Sequence, residues 1–190
     1  MSLFDAFLER YPPADDLVKP TGEVLEQFCG ILPPELLDFW QEYGFGSYGG
    51  GLLKVVDPTT YADGLYTWLG GEDPSRQPVL VTAFGNIFYY RKLSETADDV
   101  CLLDIHHRQI LTCTYSFAEF FERFITDGEV VEELLNRPLF AEALQKKGPL
   151  GGDEIYAFVP ALILGGSETA DHLDKCGAAA HQQLLFQLGQ

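Results

Sequence analysis

Two stretches rich in β-branched and aromatic residues, each folded back on itself at a short turn, limit what this chain can become more than any other feature. VLVTAF at 79–84 is followed by Gly85-Asn86 and then by IFYYRK at 87–92. VCLLDI at 100–105 and QILTCTY at 109–115 repeat the arrangement around His106-His107-Arg108. Such runs bracketing a tight turn read as β-hairpins. Strands joined this closely must be antiparallel, because a parallel pair needs a crossover of roughly a dozen residues or more. Strands and helices also come in blocks, which points to an α+β fold, an antiparallel sheet of hairpins flanked by helices. The acidic link SETADD at 94–99 suggests two regions, 1–93 and 94–190. The hairpins on either side of it can equally share one sheet, as one continuous unit.

Helices are expected around these hairpins. Leu3 to Arg10 is short and stopped by Pro12-Pro13, and Val24 to Phe28 has helical spacing. In PPELLDFWQEYG, prolines suit the helix start, Leu36, Leu37 and Trp40 share a face, and Gly44 suits the C-terminal cap. LLKVV at 52–56 reads as a strand. Asp57 is placed to N-cap a helix beginning at Pro58 and ending at Gly70-Gly71. SFAEFFERFITDG gives the clearest helical pattern, with Ser116 and Glu119 as a capping box and Phe117, Phe120, Phe121 and Phe124 on one face. One or two further helices cover 129–147, IYAFVPALIL is strand-like, and AAAHQQLLFQL closes the chain as a helix.

Composition excludes several classes. At 46% hydrophobic and 13% aromatic residues, this is no disordered chain. A chain of 190 residues buries roughly 70% of its unfolded surface and needs no disulfide or metal to fold. The four cysteines, at 29, 101, 113 and 176, form no Cys-x-x-Cys pair and read as small buried hydrophobes. No apolar run approaches the length of a membrane span, and the acidic start MSLFDAFLER is no signal peptide, so the expected location is the cytoplasm. With 29 acids against 12 bases the net charge is −17. Acids are spread along the chain, which argues against nucleic-acid or anionic-membrane partners and permits a basic protein partner.

Chemical motifs are few. GFGSYG at 44–49 matches G-x-G-x-x-G, but a helix precedes it and a strand follows, the reverse of a dinucleotide site. His106 and His107 are adjacent and point to opposite faces, while His172 and His181 lack helical zinc spacing, so no metal site is expected. No serine elbow is present, and the acids are too numerous for any pair to signal acid–base catalysis. The chain is therefore expected to be no enzyme and to need no cofactor. Gly151-Gly152-Asp153-Glu154 resembles the turn of diguanylate cyclases, yet the helical stretch before it and the proline after it do not fit one. It reads instead as a turn feeding a buried segment from Ile155 to Leu164. Asp153 and Glu154 are placed to anchor that turn by accepting backbone hydrogen bonds.

The same region carries a broader likeness. Gly152, Asp153, Glu154, Tyr156, Phe158, Pro160, Ala161, Leu162, Leu164, Gly165 and Gly166 are followed by His181, Leu184, Leu185 and Leu188. This pattern resembles the C-terminal domain of Tdi-type immunity proteins, which protect bacteria from DNase toxins delivered by type VI secretion. LPPELLDFWQEYGFGSYGGGLLKVVDPTTYADGLYTWL is similar to the GAD-like domain that often precedes it. The resemblance implies a non-enzymatic inhibitor that binds a cognate toxin, a basic nuclease, stoichiometrically. Candidate contacts, chosen by position, are Glu72 and Asp73 after the helix at 58–69, Asp98 and Asp99 in the acidic link, and His106 and His107 at the hairpin tip. A small-ligand or regulatory module is the other reading, prompted by the glycine-rich turn at 44–51.

Overall fold

The computed structural model describes residues 2–190. Its centre is a six-stranded antiparallel sheet in which every strand pairs with its neighbours in sequence. The strands are β1 (Gly46–Tyr48), β2 (Leu53–Val55), β3 (Arg76–Thr82), β4 (Ile87–Lys92), β5 (Asp98–Asp104) and β6 (Gln109–Thr114). Both expected hairpins are present, with Ile87 opposite Val81 and Asp104 opposite Gln109. The turn after Lys92 joins β4 to β5, which pair over six positions from Lys92↔Asp98 to Ile87↔Leu103. Residues before and after the acidic link thus share one sheet. The fold is α+β, as the hairpins imply.

Apolar residues run without polar alternation along β4 and β5 because both faces of the sheet are covered. Phe88, Tyr90, Val100 and Leu102 point into a core rich in phenylalanine. Ile87, Tyr89, Cys101 and Leu103 point into a smaller one on the other face. Against the first face lie α1 (Asp5–Arg10), α2 (Gly22–Phe28), α3 (Pro34–Glu42) and the segment after β6. Phe4, Phe7, Phe39 and Phe121 meet there at ring separations of 4.4 to 6.1 Å, within the range of favourable aromatic packing. The Tyr11 hydroxyl donates to the Ile125 carbonyl at 2.5 Å, tying the first helix to a segment 114 residues away. The second face is covered by α4 (Pro58–Leu69), N-capped by Asp57 and closed by Gly70 in the left-handed region, and by the last helix.

The structure departs from the sequence reading at four points. SFAEFFERF starts as a single α-turn, α5 (Phe117–Glu119), and continues as a wider π-helical turn over Phe120–Phe124. Ser116 accepts from the Glu119 amide as expected, but the Phe117 amide is taken by Asp98, which reaches across from β5 at 2.6 Å. A second π-helical turn, Val130–Leu134, precedes α6 (Arg137–Lys147). The apolar run from Ile155 is a strand only to Phe158, β7 (Glu154–Phe158). A cis Val159–Pro160 bond follows, then a 3-10 turn in which Ile163 and Leu164 are exposed, so the buried segment stops six residues short of Leu164. The unexpected partner of β7 is β8 (Leu173–Gly177), LDKCG, which leads into α7 (Ala178–Leu188). Only Cys101 among the cysteines is fully buried, and Cys29 is exposed.

The β7–β8 pair docks on the main sheet through a backbone hydrogen bond, Tyr156 N to the Ala83 carbonyl at 2.8 Å, and through the Lys54 side chain of β2, which donates to the Glu154 carbonyl. Gly85, with φ +90°, lets this happen: a Cβ there would lie 2.6 Å from Cδ1 of Ile155.

Candidate partner surface

At the β5–β6 turn the side chain of Asp104 organises the tip. Its Oδ1 accepts from the amides of His106 and His107, both at 3.0 Å. Its Oδ2 lies 2.8 Å from Nδ1 of His107, whose Nε2 lies 2.9 Å from Oε1 of Glu168. His107 is therefore held between two carboxylates, and the hydrogen bond and charge of Asp104 raise its pKa above the ordinary histidine value. Burial pushes Asp104 up, but the His107 and His106 amides and the His107 ring more than offset it, and its pKa is lowered overall. Arg108 adopts φ +55°, donates to the Leu185 carbonyl at 3.2 Å and covers Trp68 at 5.1 Å. The tip is thus locked to α4, to α7 and to the loop carrying Glu168.

His106 turns inward. It is 8% exposed, and its Nε2–H donates to the Phe84 carbonyl at 2.7 Å. Its ring stands 6.0 Å from that of His181, which is equally buried. Burial lowers both pKa values, that of His181 to about 4, and the neighbouring His106 further disfavours a charge on His181. The expectation of two exposed histidines fails for His106, since adjacent residues at a turn face opposite ways and only His107 faces out.

The acidic candidates lie at the opposite end of the sheet. Arg76 pairs with Arg91, and Arg91 with Asp99, at the ends of β3, β4 and β5 far from the tip. At about 3.3 Å per residue, β5 separates Asp98 from Asp104 by roughly 20 Å. Asp99 is buried and gives both oxygens to Arg91, at 2.8 and 2.5 Å. Its place is in a strand, not in an exposed link, so its carboxylate is already fully used. Asp98 caps the Phe117 amide. Asp73 holds the turn before β3 through Ser75 and Arg76. Of the four acids only Glu72 is exposed and makes no side-chain hydrogen bond or ion pair among the described residues. No single patch gathers the six.

The Gly-Gly-Asp-Glu turn has a different task. Lys54 of β2 is 2% exposed. Its ammonium donates to the carbonyls of Gly151, Gly152 and Glu154 at 2.7, 3.0 and 2.5 Å. All three N–H donors of the ammonium are then satisfied. Burial pushes its pKa down, while Asp153 and Glu154 hold it up. The Glu154 carboxylate accepts from the Gly151 amide at 2.7 Å, as expected of a turn anchor; Asp153 contributes its backbone carbonyl, to Ala178. The cleft of about 260 Å³ between this turn and Gly46-Ser47 therefore has its one buried cation already occupied.

Sequence reasoning missed the β6 edge. In QILTCT, Gln109 to Thr112 are exposed, Ile110 by 52% and Leu111 by 38%. β6 is the last strand of the sheet, and among the described residues its outer side pairs with no other strand. Beside it runs an open groove of about 520 Å³, lined by Leu111, Cys113, Phe124, Val130 and Leu134 and rimmed by Glu129 and Glu133. Burial raises the Cys113 thiol to about 12, which leaves it a poor nucleophile. Across Glu133 and Leu134 the groove meets a second hollow, of about 240 Å³, that holds His107 and Glu168. Uncharged strand residues carry no motif, and which strand lies outermost is decided only by the folded arrangement.

Among the described residues no cluster of three or more histidines, cysteines or acids is arranged to hold a metal ion, and no helix is long and apolar enough to cross a membrane. Residues 2–101 match the GAD-like domain family, and residues 115–189 match the family described as T6SS immunity protein Tdi1, C-terminal. No curated protein matches. The crystal structure of Atu4351 from Agrobacterium tumefaciens is similar over 97% of this chain and 88% of its own, with a TM-score of 0.78 and 18% identity, which establishes a shared fold.

Proposed function

Because the chain belongs to the GAD-like domain family and carries a C-terminal region of the Tdi1 type, we propose that it is an immunity protein that neutralises a cognate type VI secretion toxin by binding it. The match at residues 115–189 is the observation that carries this reading. On it, the protein acts stoichiometrically in the cytoplasm, without catalysis or cofactor, on a toxin that is a nuclease.

The charge supports the nuclease. An enzyme that grips phosphates must be basic around its cleft, and a −17 inhibitor is drawn to such a surface. Most of the 29 acids take no part in an ion pair among the described residues, so the negative field is largely unneutralised. Of the residues first favoured, Glu72 and His107 remain available as contacts.

Co-expression with the toxin domain encoded by the neighbouring gene tests the reading. Survival of the cells together with a one-to-one complex on gel filtration is the expected outcome; cell death with no complex would reject it. The association rate constant is expected to fall at least tenfold between about 20 and 300 mM salt. A flat salt dependence removes the basic-partner component.

A further inference from the structure

We propose that the open edge of β6 and the acidic-rimmed groove beside it receive an extended, basic segment of the toxin as a seventh strand. The proposal rests on the immunity reading and specifies its contact surface.

An outermost strand displays unpaired N–H and C=O groups, and folded proteins usually guard such an edge with charge, proline or a covering segment. β6 has no charged residue and no proline, and two of its large apolar side chains are exposed. Its one irregularity is a bulge opposite Val100–Cys101, near the far end from the hairpin tip. Backbone pairing is what such an edge offers, and only an extended segment can supply the matching groups.

The groove fixes the side chains of that segment. Its floor is apolar, from Leu111, Phe124, Val130 and Leu134. Its rim holds Glu129 and Glu133, four residues apart on one helical face and so about 6 Å from one another. Neither forms an ion pair among the described residues, while the nearby Arg137 is engaged by Glu132. Side chains at i and i+2 of a strand lie on one face about 6.6 Å apart. Two lysines or arginines at that spacing would meet the two glutamates while the strand pairs with β6.

A second copy of this chain suits the groove poorly. A two-fold contact would bring the same acidic rim onto itself, and each copy carries −17. A basic partner has no such conflict.

Calorimetric titration of the full chain with the toxin domain encoded by the neighbouring gene decides the matter. Leu111→Lys, which places a charge on the edge, is expected to weaken binding about a hundredfold. Glu129→Lys with Glu133→Lys, both on an exposed face, is expected to weaken it at least tenfold, and serves if the first variant does not fold. Light scattering of the free chain should give a monomer. Binding within twofold of the unaltered chain in both variants would place the toxin elsewhere and overturn the proposal while leaving the immunity reading intact. A free dimer that Leu111→Lys dissolves would assign the edge to a second copy and overturn it equally. No binding by the unaltered chain would reject the immunity reading, and this proposal with it.

Discussion

The two edges of the six-stranded sheet are finished in opposite ways. At β1 the strand is three residues long and the N-terminal segment lies over it. Val18 and Phe45 exchange backbone hydrogen bonds at 2.8 Å each, and Ala14 donates to Ser47 and Gly49 to Pro12. The approach is close enough that Gly44 and Gly46 sit at φ +110° and +133°, where a Cβ would strike Val18 or Leu17. At β6 the strand is six residues long, uncharged, exposed over its first four residues and, among the described residues, paired with no strand on its outer side. One chain has thus spent local sequence on closing one edge and none on the other. The lesson is that an open edge beside a groove is a feature in its own right, and the two edges should respond to different perturbations: the closed one in stability, the open one in binding.

Gly44→Val breaks the comparison most severely. Its Cβ would lie 2.8 Å from the Val18 carbonyl oxygen in a conformation branched residues avoid. A loss of about 3 kcal/mol in urea unfolding is expected, from backbone strain and lost bridging, with toxin affinity of the folded fraction unchanged. Lys54→Met comes next. It removes three charge-assisted hydrogen bonds to the Gly-Gly-Asp-Glu turn, yet the ammonium no longer has to be desolvated. The net loss should be about 2 kcal/mol, with faster proteolysis near Gly151. Leu111→Lys is the contrasting case: it is expected to move the unfolding free energy by less than about 0.5 kcal/mol, since the side chain is already exposed.

A similarly small effect, dependent on pH, is expected at His107. Its folded pKa is raised, so the pairing with Asp104 contributes stability below the unfolded value near 6.5, and that contribution is lost as pH rises through the folded value. Half exposure limits it to roughly 0.5 kcal/mol. His107→Gln should flatten the fall of the unfolding free energy as pH rises above about 6.5. His106 and His181 act oppositely: their lowered pKa values cost stability as pH falls below about 6.5, the His181 cost growing until about pH 4.

Much of the fold was legible because local rules agree with the tertiary result. The Gly85-Asn86 turn, the Asp57-Pro58 start and Gly70 as a helix end all stand where the residues place them. The π-helical turns were not, because phenylalanines at 117, 120, 121 and 124 fit a wide turn as well as a regular one. β8 escaped because Asp174 and Lys175 break any strand pattern, its pairing being set by β7. Lys54 looked like an ordinary strand lysine, since nothing nearby shows that residues 151–154 close over it. That Asp73, Asp98 and Asp99 are engaged within the fold was hidden for a simpler reason: with 29 acids, position in a loop says little about which are already bound.

Amide hydrogen exchange of the full chain, alone and with the toxin domain, tests the contrast between the edges most directly. Residues 46–48 should be protected in both states. The outward amides of residues 109–113 should exchange fast in the free chain and slow at least tenfold in the complex. Unchanged exchange at 109–113 when the toxin is bound would contradict the account.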